Sequence, residues 1–193
     1  HPLPRHASDP VVTGARAPHA DLAVVTVIGI GNPYRRDDGA AGAVVARLRE
    51  RWCEDPRVRL VELDGESVRV MQAWEGTQVV WIVDAVRSGR PPGTLHEVDA
   101  QCLADLDDTG ARLGGGHLMG LADSVELARA LDRLPAELHV LGIEGEDFGD
   151  GEGLSAGTAA GVDRGGDGLT QELAAAGGDG ARSADAREQF AEG

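Results

Sequence analysis

Two adjacent acids in VTVIGIGNPYRRDDGAAGAVVARLRE, residues 25 to 50, are the first residues placed to do chemistry. Asp37 and Asp38 follow an apolar run and a glycine turn, and a helical pattern begins just after them. A third acid, Asp84, abuts the apolar run VVWIV, and His117 follows Gly114-Gly115-Gly116 at the start of another helical pattern. Each has an ordinary reading. Aspartate is a favoured N-cap, and acids in a first helical turn complement the helix dipole. Capping explains one member of the Asp37–Asp38 pair and leaves the other. Asp84 could cap the loop N–H groups that follow it, and a lone His at a helix start is commonly a surface residue. If the strand ends converge, however, Asp38, Asp84 and His117 supply two carboxylates and an imidazole. That is an incomplete ligand set for a divalent metal, with positions left for water or substrate.

The glycine turn invites a nucleotide reading, which the residues oppose. Gly29 and Gly31 fit the first two glycines of a dinucleotide fingerprint, but Tyr34 stands at the third, and no GK[ST] is present. Two acids also sit where a pyrophosphate would need helix-terminal N–H groups. Asp64, after the next apolar run, could mimic a ribose-binding acid but is weak alone. His-Glu-x-x-His is absent, and neither Cys53 nor Cys102 lies on a nucleophile or thiolate motif.

Positioning three side chains at strand ends requires alternating strands and helices, and the chain supplies them. LAVVTVIGI (22 to 30) and QVVWIVDAV (78 to 86) are continuous apolar runs of strands buried on both faces. VRLVELD (58 to 64), TLHEVD (94 to 99, an edge strand after Pro91-Pro92-Gly93) and ELHVLGIEG (137 to 145) complete five strands. Helical spacing covers 39 to 52 through Val44, Val45, Leu48 and Trp52, and a short helix fits 67 to 74. A longer one fits 119 to 134, with Leu121, Val125, Leu127, Ala128 and Leu131 on one side. The expected class is α/β, a three-layer sandwich: a twisted, mostly parallel sheet of about five strands with helices on both faces. Ligands in such folds bind beyond the carboxyl ends of the strands. A closing helix over 154 to 176 carries Gly157, Gly161, Gly165, Gly166 and Gly168, each costing about 1 kcal/mol against Ala. Its helicity must come from packing.

At 193 residues the chain fits one domain, 22 to 176, between a flexible leader (1 to 21, containing His1, His6 and His19) and a disordered acidic Gly/Ala-rich tail (177 to 193). All 18 basic residues are Arg, and the net charge of −15 opposes nucleic acid or anionic membrane as a partner. The N-terminal stretch lacks the apolar core of a signal peptide, and no run reaches transmembrane length, so a cytoplasmic protein is expected.

Four stretches, in order, resemble the hydrogenase maturation proteases: GIGNPYRRDDG (29 to 39), VVWIVDAVRSGRPPGTL (79 to 95), HLMGLADSVELA (117 to 128) and HVLGIEGEDFGDGEGLS (139 to 155). The resemblance covers residues 23 to 176. That family trims the C-terminal extension of the nickel–iron hydrogenase large subunit once nickel is inserted. Its fold is a twisted sheet sandwiched by helices. By motif position, the resemblance implies that Asp38, Asp84 and His117 form the nickel-sensing and catalytic site of an aspartyl-type endopeptidase. It implies a large-subunit precursor as partner, nickel arriving within that substrate, no organic cofactor, and a monomer. Gly29 and Gly31 are then expected to turn the backbone sharply, Asn32 to tie the loop, Asp37 to cap or orient, and Asp38 to face the metal. The family's second glycine after the DDG glycine is here Ala41. A non-catalytic nickel checkpoint that binds the precursor would use the same three residues.

Overall fold

The computed structural model describes residues 25–99 and 116–176. The expected leader and tail lie outside the described residues, as does Cys102.

The apolar runs become strands β1 (Val25–Ile30), β2 (Val58–Leu63), β3 (Val79–Val86), β4 (Leu95–Asp99) and β5 (Glu137–Glu144) of one sheet, in the order β2-β1-β3-β5-β4. The first four strands of that order run parallel, and β4 closes one edge antiparallel to β5. Every residue of β1 and β3 is buried, as a strand covered on both faces demands. The edge strand β2, by contrast, has no fully buried residue, its half-buried side chains interrupted by exposed Arg59 and Glu62.

Side chains alternate across the sheet. Val25 and Val27 of β1 and Trp81, Val83 and Ala85 of β3 join a core with α1 (Ala40–Trp52) and α4 (Ala156–Ala176). Ile28, Ile30, Val80 and Ile82 join the opposite core with α2 (Ser67–Ala73) and α3 (Gly116–Ala130). The three-layer sandwich is therefore present, with two separate apolar layers. Val44, Val45, Leu48 and Trp52 are all buried, so the period in α1 is the core-facing one.

In α3 the apolar side is narrower than its spacing suggests. Leu121, Val125 and Ala128 are buried, but Leu127 and Leu131 are exposed. Leu127 lies about 200° around the helix from Val125, and the helix ends at Ala130, where Arg133 N–H bonds the Ala128 carbonyl.

The glycines of α4 explain how it forms. A methyl group on Gly161 would stand 2.7 Å from the Gly93 carbonyl oxygen and 2.9 Å from Ile143 Cγ2. One on Gly157 would stand 2.6 Å from Pro92 Cβ. The small residues let α4 lie directly on the Pro91-Pro92-Gly93 turn and on β5. Close packing, together with buried Val162, Leu169 and Leu173, replaces the helix propensity that the glycines lack.

Candidate functional site at the carboxyl edge of the sheet

The loop after β1 turns back through a short 3-10 segment, Arg36–Gly39, before α1 begins. Gly29 acts differently from the sharp turn expected of it. It lies inside β1, and a Cβ there would stand 2.9 Å from the Ala41 carbonyl oxygen, so its bareness brings α1 down onto the strand. The turn belongs to Gly31, where a Cβ would collide with the Asp38 carbonyl oxygen. Asn32 ties the loop as expected, its side-chain oxygen accepting the Tyr34 N–H at 2.9 Å.

Neither aspartate caps a helix. The residue before α1 is Gly39, and no side chain bonds the helix start. Both acids are buried instead, Asp37 at 0% exposure and Asp38 at 4%. Asp38 Oδ2 accepts the Asn32 N–H at 3.1 Å, and its own N–H bonds the Arg35 carbonyl. The Asp37 carboxylate faces the loop between β5 and α4. It accepts the N–H groups of Glu146 (2.8 Å), Asp147 (2.9 Å) and Ser155 (2.6 Å) and the Ser155 hydroxyl (2.9 Å). Burial pushes this carboxyl up, but the N–H groups of Asp147, Ser155 and Glu146 and the Ser155 hydroxyl outweigh it. Its pKa therefore lies below the ordinary carboxylate value.

Asp84 sits before the last two residues of β3, beside Ile30, the last residue of β1, and beside Gly142 of β5. It is buried, and by strand alternation it projects to the face covered by α2 and α3. The start of α3 belongs to the same face and the same edge. Ser124 Oγ bonds the carbonyl of Ser67, which opens α2 just after β2 ends. His117 lies two turns, roughly 10 Å, further toward the carboxyl side of the sheet. Its backbone is helical, and its side chain lies outside the described residues. The sheet thus brings Asp38 and Asp84 to one edge, and α3 begins on Asp84's side of it.

A further buried acid, Glu144, ends β5 and carried no role in the sequence. It accepts the Ser88 N–H (2.7 Å), the Ser88 hydroxyl (2.7 Å) and the Gly89 N–H (2.8 Å), and it pairs with His96 Nε2 at 3.0 Å. Burial raises its pKa, and the Ser88, Gly89 and His96 bonds overcome that, leaving it below the ordinary value. Glu144 therefore knots the β3–β4 turn to β5. The signal was available: it terminates VLGIE as Asp84 terminates VVWIV. Asp64, the ribose-acid mimic, is a surface turn residue whose carboxylate pairs with Arg69 at 3.6 Å.

An α/β sandwich with buried acids gathered at its strand-end loops defines a protein whose chemistry lies at the carboxyl edge. The chain belongs to the hydrogenase maturation protease family, whose sequence profile matches residues 43–165. That match takes in Asp84 and His117 and begins just beyond Asp38. Among curated relatives, hydrogenase expression/formation protein HupD of Thiocapsa roseopersicina is 28% identical over 128 residues, covering 65% of this chain and 57% of the relative. Protein HoxM of Cupriavidus necator is 25% identical over 127 residues, covering 66% and 62%. The chain thus spans about three fifths of the length of these curated relatives. Among solved structures, the [NiFe] hydrogenase maturation protease HybD from Thermococcus kodakarensis is 27% identical. It aligns with a TM-score of 0.63 over 78% of this chain and 98% of its own. The hydrogenase maturating endopeptidase HybD from E. coli, 23% identical with a TM-score of 0.66, shares the fold over 79% and 93%.

Proposed function

We propose that this chain is an endopeptidase that removes the C-terminal extension of a nickel–iron hydrogenase large-subunit precursor, recognising nickel already held in that precursor. The observation that carries the reading is the pair of buried carboxylates, Asp38 and Asp84, at one sheet edge where α3 begins with His117. The family, and the protease named in the Thermococcus structure, support the hydrolytic part. The donor set supports the metal part: two carboxylates and an imidazole suit a borderline divalent cation and leave it open to substrate ligands. Nickel enters as part of the substrate, and no organic cofactor is required.

Hydrolysis needs a water to attack the scissile carbonyl and surrender a proton. A carboxylate at Asp38 or Asp84 can accept that proton, which makes the enzyme aspartyl in type. The pair thus serves both as recognition ligands and as the catalytic set. The reading carries with it a monomeric, cytoplasmic enzyme acting on one protein partner.

The test is processing of purified nickel-loaded precursor by Asp38→Asn and Asp84→Asn variants. Each is expected to lower the cleavage rate about 100-fold or more while leaving the far-UV circular dichroism unchanged. Full processing by folded Asp38→Asn would remove Asp38 from the site. Tight precursor binding without cleavage by the unaltered protein would replace the peptidase with a non-cutting checkpoint.

A further inference from the structure

We propose that Asp37 is a positioning residue, which holds the Gly145–Ser155 loop as a preset wall against which the precursor is laid. The inference rests on the peptidase reading for the identity of the precursor, but its geometric basis is separate.

The loop leaves the carboxyl end of β5, one strand from Asp84, and returns to the buried acid adjoining Asp38. It therefore borders both proposed site carboxylates. Its composition gives it little reason to be ordered. Gly149, Gly151 and Gly153 are exposed, as are Glu146, Asp147, Asp150 and Glu152, and Phe148 and Leu154 are only partly buried. Such a segment loses much conformational entropy on ordering and gains little apolar burial in return. Polar ties hold it instead, and most of them reach the β1–α1 loop. Asp37 receives its four hydrogen bonds from residues 109 to 118 positions away. Arg36 N–H bonds the Gly151 carbonyl and Gly151 N–H bonds the Tyr34 carbonyl, each at 2.8 Å. Arg35 donates to the Phe148 carbonyl at 3.3 Å, and Arg87 stacks on the Phe148 ring at 4.7 Å. Of these ties only Asp37 is buried; the Arg36–Asp147 pair at 3.3 Å is half exposed and worth little.

Asp38 is held independently, by the Asn32 N–H and the Arg35 carbonyl. Loosening the loop should therefore weaken precursor binding without disabling the catalytic carboxylate. In Asp37→Asn the shape is kept, but an amide NH2 must face a backbone N–H, and the loop order it supported falls. If the ordered loop becomes a minor population, affinity drops by that fraction.

The experiment measures KM and kcat for nickel-loaded precursor, direct precursor binding, and amide exchange of residues 146–155 in the free full-length protein, for Asp37→Asn and the milder Ser155→Ala. Expected is faster exchange in the loop and, for Asp37→Asn, about a tenfold rise in KM and Kd with kcat within about threefold. Ser155→Ala should give a smaller rise of the same kind, and it serves if Asp37→Asn fails to fold. Unchanged KM and Kd despite faster loop exchange would overturn the proposal. A loss confined to kcat would also overturn it, since that would put Asp37 among the reacting groups. If the unaltered protein binds precursor without cutting it, the peptidase reading fails, while Kd and exchange still decide the role of Asp37.

Discussion

Among the described residues, four buried acids lie at this edge, and the hydrogen bonds of two of them define their role. Asp37 and Glu144 are met by backbone N–H and hydroxyl donors, so they act as internal fasteners. Glu144→Gln should expose the difference, because an amide presents an N–H to donors that need an acceptor. A loss of about 2–3 kcal/mol of stability at neutral pH is expected by urea unfolding. The pH dependence has a definite sign. Glu144's folded pKa lies below its ordinary value of 4.5, so its contribution is full above that value and is lost as pH falls through the lower, folded value. The stability gap between the native protein and Glu144→Gln should close as the pH is lowered through that window. A gap that widened there would contradict the assignment. Asp38 and Asp84 were legible in the sequence because an acid after an apolar strand run stands out locally. Asp37 was expected only to cap or orient and Glu144 carried no role, because the partners that define them lie far off in sequence: Asp37 meets Ser155 and Glu144 meets Ser88.

At the level of elements, hydrophobic period did most of the placing. The β-branched runs became strands within a few residues of their expected ends, and the burial of α1 follows its sequence spacing. Two features escaped local reading because they depend on neighbours. Leu127 and Leu131 looked apolar enough for the core face of α3, yet of the five residues at that spacing Leu121, Val125 and Ala128 are the buried ones. The glycines of α4 looked like a cost, and the Pro91-Pro92-Gly93 turn lying against Gly157 and Gly161 gives the reason for the size of those two. Gly161→Ala separates the two views. Intrinsic propensity alone makes Ala stabilising by about 1 kcal/mol. The 2.7 Å approach of the Gly93 carbonyl makes it destabilising by about 1–3 kcal/mol, with α4 pushed off the turn. Thermal unfolding of the variant gives the sign, and a raised Tm would show that α4 can shift freely.

For the molecule as a whole, the parallel sheet gathers β1, β3 and β5 so that residues more than a hundred positions apart meet at one edge, and the loops there carry its acids. A glycine turn at a strand end usually welcomes an anion through free N–H groups. Here the N–H of Asn32 is spent on Asp38, so the turn lacks that free donor, and the guest we propose is a cation brought by a partner. On the function we propose, cleavage waits for nickel in the precursor. The direct measurement is to incubate the purified protein with nickel-loaded large-subunit precursor and, separately, with the nickel-free form, and to follow the C-terminal extension by mass spectrometry. Loss of the extension from the loaded form alone is the expected result. Equal cleavage of both forms would contradict metal-gated recognition by Asp38, Asp84 and His117.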